Sequence, residues 1–206
     1  MALVKYNNNS ISAITSTGLA TGAMVLIKEQ TASSSSTISF VDGTSDVDLD
    51  ATYPIYLFQF INIHPSLDQR DFQFQVDTGT NTNYNQTITS TACYSIHNEG
   101  DSTTGLGYNI HHDLAQGTGF QNLNANLGNG NDESLHGYLY LFNPSSTTFV
   151  KHFISLTTEY EYTDYAQQLY VAGYVNTTTA LTRVQFKFNT GNIDAGKIKL
   201  YGLKDS

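Results

Sequence analysis

Charge is what this sequence has least of. Asp, Glu, Lys and Arg make up 13% of its 206 residues, against about 25% in an average soluble domain. Only 9 of them are Lys or Arg, and the formal net charge is −9. A basic patch able to neutralise a run of phosphates is therefore not expected, which argues against nucleic-acid binding and against docking on anionic membranes. The single cysteine, Cys93, can form no intrachain disulfide, so the fold does not depend on an oxidising compartment. Tryptophan is absent and there are only 3 prolines. No apolar run approaches the roughly 20 residues of a membrane-spanning helix. The opening MALVKYNNNS shows neither a long apolar core nor a small-residue cleavage site, so a signal peptide is not expected. A soluble chain made in a cytoplasm is expected.

Ser, Thr, Asn, Gln and Gly occupy the places where Lys and Glu usually sit, and Tyr (14) and Phe (11) are plentiful. A surface solvated by hydroxyls and amides suits stacked or repeated assembly, because neighbouring copies repel each other weakly. The length fits one all-β domain, able to bury roughly 70% of its unfolded surface.

Period two dominates the chain. Strands are predicted at Thr37–Val41, Tyr53–Ile63 (apolar on both faces), Asp71–Val76, Asn85–Ile96, Ser134–Phe142, Thr148–Tyr160, Leu169–Val175, Thr182–Phe188 and Lys197–Leu203. In DFQFQV, Phe72, Phe74 and Val76 share one face, with Gln73 and Gln75 on the other. The turn residues Asn143-Pro144-Ser145-Ser146 mark a hairpin, whose expected register sets Phe142 opposite Phe149 and Tyr138 opposite Phe153. Gly100–Asn109 is small and polar and reads as a loop. Glu159–Ala172 has room for a short helix, but its tyrosines fit a strand better. The fold class that follows is an antiparallel β-sandwich, jelly-roll-like. Residues 1–36 are small, polar and poor in anchors apart from Met24–Ile27, and read as an N-terminal arm that packs on a neighbouring subunit, ahead of a sandwich domain at 37–206.

Few groups suggest chemistry. Gly128-Asn129-Gly130-Asn131-Asp132 resembles the core of calcium-binding nonapeptides, but those work as arrays and this is one imperfect copy. A Gly/Asn turn leading into a strand accounts for the same letters. Asp46, Asp48 and Asp50 share a face if extended and read as a solvated strand edge, since Ala51 and Leu57 break the calcium-loop pattern. His111, His112 and Asp113 are the densest set of possible metal ligands, but adjacent strand residues point to opposite faces. No metal site and no cofactor is expected. Glu99, Asp101, Asp132, Glu133, Glu159 and Glu161 are available to a hydrolase, yet nothing in the sequence pairs any two, and no nucleophile elbow occurs. No catalytic residue is assigned. The best binding candidates are Tyr160, Tyr162 and Tyr165, because exposed rings stack and neighbouring amides hydrogen-bond at small entropic cost. They suit a protein or glycan partner. The competing reading is that they pack on a sheet, as Tyr170 and Tyr174 would, or at a subunit contact.

Four stretches carry a resemblance: MALVKYNNNSISAIT, FQFINIHPSLD (Phe58–Asp68), SLHGYLYLFNPSSTTFVKHFIS (Ser134–Ser155) and NTGNIDAGKIKLYGL (Asn189–Leu203). Together they resemble a family of virion structural proteins of marine tailed bacteriophages, some described as tail-fibre-like. The resemblance implies a non-enzymatic virion component, on capsid or tail, and brings no catalytic residues with it. The expected partners are further copies of the chain, with a trimer first among symmetric candidates, other virion proteins, and a host-surface glycan if the chain is a receptor-recognition module.

Overall fold

A computed structural model describes residues 23–204. Among these, twelve strands and no helix are found. They are β1 (Met24–Thr31), β2 (Ile38–Val41), β3 (Ile55–Pro65), β4 (Phe72–Thr78), β5 (Ile88–Asn98), β6 (Thr104–Tyr108), β7 (Gln121–Asn122), β8 (Leu135–Phe142), β9 (Lys151–Glu161), β10 (Tyr165–Val175), β11 (Leu181–Phe188) and β12 (Ile193–Leu203). All ladders are antiparallel. Eight strands form one sheet in the order β1-β12-β3-β8-β9-β10-β5-β6, and four form the other in the order β2-β11-β4-β7. The protein is an all-β sandwich with unequal layers.

Alternation explains the core. Phe58 and Phe60 of β3 and Phe153 of β9 face inward from the large sheet, meeting Phe40 of β2, Phe72 and Phe74 of β4 and Phe186 of β11 from the small one. Phe186 sits at the centre, with its ring 5.2 Å from Phe58, 5.3 Å from Phe60 and 5.8 Å from Phe72, stacked on the last. Edge-to-face and offset pairs of this kind each add about 0.5–1.5 kcal/mol beyond the area they bury.

Three expectations are corrected. In the β8–β9 hairpin, Phe153 lies opposite Leu141 and not Tyr138, while Tyr138 lies opposite Leu156. The turn is longer than the four residues anticipated: residues 143–150 all lie outside the strands. The Ser146 hydroxyl accepts the Thr148 and Phe149 amides at 3.2 and 3.1 Å, holding the loop shut past the predicted strand start. Because the register moves by an odd number of residues, Phe153 turns inward to meet Phe74 at 4.9 Å. Phe149 is left in the loop, 70% exposed. Second, residues 104–108 are not loop but β6, paired with β5. Glycines make this possible: Gly105 and Gly107 lie under the Ile96 and Tyr94 side chains, where an added Cβ would come within 3.1 Å. The pairing rests on backbone, so no side-chain alternation announced it. Third, Asp46, Asp48 and Asp50 are exposed, but the segment is a turn around a Thr44–Val47 bridge, with Val47 and Leu49 buried between the acids.

Of the arm expected over residues 1–36, residues 1–22 lie outside the described residues. Met24–Thr31 is an edge strand of the large sheet, held to β12. The Glu159–Ala172 stretch is strand throughout apart from its hairpin turn, as its tyrosines suggested. Gln75, on the far face of β4 from the phenylalanines, is fully buried because loops cover it, and its amide donates to the Gln86 and Gly119 carbonyls at 3.0 and 2.8 Å.

Candidate functional site

The small sheet covers one face of the large sheet. No strand among the described residues packs on the other. Register defines what that outer face presents. Across the strands, one row runs Leu26, Tyr201, Leu57, Tyr140, Ile154, Ala172. The next runs Gln59, Tyr138, Leu156, Tyr170, Cys93, Tyr108. Along β8, Tyr138 and Tyr140 meet edge-on at 5.1 Å, and Phe142 follows at 6.3 Å. Met24, Leu26, Tyr108 and Tyr170 are each between 42 and 53% exposed. This is a continuous apolar and aromatic band, much larger than the scattered hydrophobic residues any surface carries.

Beyond the band the face turns polar. The following row is His136, Thr158, Gln168 and Ser95, and then come Tyr160, Ala166 and His97. Glu29 is an acid at a strand position on this face, and Asp194 is an exposed acid of β12. The Glu29 carboxylate is 2.8 Å from Lys197 and 3.3 Å from Lys199, and these ammonium groups hold its pKa below the usual value.

The three candidate tyrosines separate. Tyr160 and Tyr165 line one hollow with His97, Asn98, Glu99 and Ala166. The Tyr160 hydroxyl donates to Asp164 at 3.1 Å, and the carboxylates of Glu99 and Asp164 push its pKa up. Tyr162 is on the β9–β10 turn, outside that hollow, and its amide donates to the Asn126 carbonyl at 3.2 Å. Tyr170 faces outward in the aromatic band, and Tyr174 lies beside His152, ring centroids 6.0 Å apart.

Gly128–Asp132 forms a turn closed by its own neighbour. Glu133 accepts the Gly130 amide and lies so close over Gly128 that a Cβ there would collide with the carboxylate. His64 Nε2 is 3.0 Å from the Gly130 carbonyl oxygen. The turn leads into β8, as its Gly and Asn residues suggested.

His111 is exposed, whereas His112 is nearly buried, with Nε2 3.7 Å from Asp71. No group of three His, Cys, Asp or Glu able to hold a metal ion occurs among the described residues.

Among the carboxylates weighed for hydrolysis, Glu159 has a structural partner set. It accepts from the Asn124 amide, from the Ala125 backbone N–H at 3.0 Å and from Gln167 at 3.1 Å. Asn124 in turn accepts the Phe72 backbone N–H, so it joins β4 of one sheet to β9 of the other. Burial pushes the Glu159 carboxyl up to about 8, against the pull of the Asn124 and Ala125 donors.

The apolar band was not singled out from sequence, although a signal existed. β8 and β9 carry large apolar residues at both parities, which in an antiparallel strand means that both faces want cover. Compared with known proteins, the chain matches no family model, no curated protein and no solved structure.

Proposed function

We propose that the chain is a non-enzymatic structural subunit of a bacteriophage virion, on capsid or tail surface, which assembles by burying the outer face of its large sheet against another copy. The observation that carries this reading is the apolar band, on which no strand among the described residues packs. A chain of net charge −9 resists self-association unless its contact surface carries few unpaired acids; on this face Glu29 is neutralised by two lysines and Asp113 accepts the Tyr108 hydroxyl at 2.6 Å. The sequence resemblance supports the virion setting. On this reading the sandwich is a jelly-roll-like body, the N-terminal arm read from the sequence over residues 1–36 links neighbours or other virion proteins, and the protein is made in the host cytoplasm.

Sedimentation equilibrium of the full chain tests the assembly. An oligomer is expected. Ile154→Asp places a carboxylate in the middle of the band, next to Tyr140 and Ala172, and reduces the mass to that of a monomer with an unchanged circular dichroism spectrum. A wild-type monomer at all concentrations overturns self-assembly. The alternative role, a carbohydrate-binding receptor-recognition module of a phage fibre, draws on the polar part of the same face.

A further inference from the structure

At the edge of the apolar band, and sharing Tyr138 and Leu156 with it, the outer face carries an uncharged trough of mixed lining. One hollow of about 360 Å³ lies over β3, β8 and β9, and includes Gln59, His136, Tyr138 and Thr158 in its lining. A second, of about 380 Å³, lies over β9, β10 and β5, and includes Ser95, His97, Thr158 and Gln168. Thr158 and Gln168 line both, so the two are one trough. It continues past Ala166 into the hollow bounded by Tyr160 and Tyr165. The row His136–Thr158–Gln168–Ser95 spans three interstrand gaps, roughly 14 Å across the sheet. Ser95 and Thr158 are its short side chains and His136 and Gln168 its longer exposed ones, with Tyr138 and Tyr170 in the row before and Tyr160 and His97 in the row after.

From this geometry we infer that the trough binds a neutral oligosaccharide. Neither main hollow has Asp, Glu, Lys or Arg in its lining. The nearest lysines, Lys199 opposite Gln59 and Lys197 opposite Ile61, are paired with Glu29, and Glu99 and Glu159 line the Tyr160 end. An anionic polymer is therefore disfavoured, whereas a polyhydroxylated chain requires no countercharge. The lining provides what such a chain uses. Gln168 and Gln59 supply amides and Thr158 a hydroxyl. Among the described residues one bond involves these groups, a long one of 3.3 Å from the Ser95 hydroxyl to the Gln168 carbonyl oxygen. Tyr138, fixed edge-on against Tyr140, presents a ring for the C–H face of a sugar. Each hollow lies within the usual size range of small-ligand sites, about 300–1,000 Å³. A peptide strand is a poorer occupant, since it pairs with sheet edges rather than lying across a face. A second copy of the chain pressed on the trough would bury these amides and hydroxyls without partners, so the copy belongs on the row from Leu26 to Ala172 and the glycan in the trough, the two surfaces adjoining along Gln59, Tyr138 and Leu156.

The test is an array of neutral and acidic oligosaccharides probed with the full chain, followed by calorimetric titration of the best neutral binder. Two exposed-face variants accompany it. Gln168→Ala removes the amide shared by both hollows, and Ala166→Trp fills the passage between His97 and Tyr160. The expected result is binding to neutral oligosaccharides, weakened at least tenfold by Gln168→Ala and lost in Ala166→Trp, with the sedimentation mass of both variants unchanged. Binding to no neutral oligosaccharide, binding to acidic ones only, or neutral binding unaffected by both variants overturns the inference. Glycan binding that persists in a monomeric chain supports the trough and overturns the assembly reading instead.

Discussion

Glu159 is the residue whose chemistry the fold changes most. Its carboxyl ionises near 4.5 when unfolded and near 8 when folded, because it is enclosed between β9 and the Leu123–Asn126 segment. The folded state therefore keeps a proton that the unfolded chain has released. This contribution to stability is complete below about pH 4.5 and is lost as pH rises through about 8. Urea unfolding should show a stability falling by a few kcal/mol from mildly acidic to mildly alkaline pH. Glu159→Gln keeps one of the two acceptor oxygens and cannot ionise, so it should flatten that slope. A slope unchanged in the variant would assign the effect to another group. Phe186 represents the opposite kind of residue, one that titrates nothing and touches nearly every ring of the core. Phe186→Ala should cost about 3–5 kcal/mol in the same assay. Phe149→Ala in the exposed hairpin loop should cost within about 0.5 kcal/mol.

Among the elements, β1 decides how the large sheet ends. It runs the length of β12 from Met24–Leu203 to Thr31–Lys197, with one bulge between Leu26 and Lys28. Lys197, Lys199 and Glu29 bind the pair on the outer side, and Ile27 packs against the core. Removing residues 1–31 would expose the whole β12 edge, whereas removing 1–22 leaves β1 in place. The longer deletion should lower the melting temperature and promote aggregation through the unpaired edge relative to the shorter one. Equal melting temperatures and equal solubility would show that β1 contributes nothing to the fold. At the other end of β12 the chain bends at Gly196, where φ is +118° and a Cβ would lie 2.5 Å from the Asn62 carbonyl oxygen. The β3–β12 ladder shifts register at that point. The hairpin β8–β9 shows how turn length controls the faces. Its long loop turns Phe153 into the core and leaves Tyr138, Tyr140 and Phe142 aligned on the outside. The shorter turn read from Asn143–Ser146 would have paired Tyr138 with Phe153 and lost both arrangements.

At the scale of the molecule, an eight-stranded sheet is covered on one face by a four-stranded one, and no strand among the described residues packs on its other face. The distribution of charge follows the same division. Many of the acids gather in turns and loops, at Asp42–Asp50, Glu99–Asp101 and Asp132–Glu133, and the rows of the apolar band from Leu26 to Ala172 and from Gln59 to Tyr108 hold none. This is why Ile154→Asp is the informative substitution for association: it introduces at the proposed contact the kind of charge that the rest of the surface already carries.

Much of this was legible in the sequence because it depends on local periodicity. Alternation in DFQFQV, the apolar run of β3 and the tyrosines of β10 determined an antiparallel all-β sandwich with a phenylalanine core, and the Gly/Asn run at residues 128–132 determined a turn. What depends on contacts between distant residues was not legible. The β8–β9 register hung on a serine hydroxyl closing a loop, β6 on glycines that make room for the side chains of β5, and the burial of Gln75 and Glu159 on loops arriving from elsewhere in the chain. Tyr160 and Tyr165 proved to line one hollow and Tyr162 not, because the β9–β10 turn carries Tyr162 away. The trough itself depends on which strands become neighbours. His136, Thr158, Gln168 and Ser95 come from four strands and share nothing in sequence, and only the order β8-β9-β10-β5 sets them side by side. Local pattern chose the elements and the residues each would bury; the pairing of the strands alone decided what the exposed face could bind.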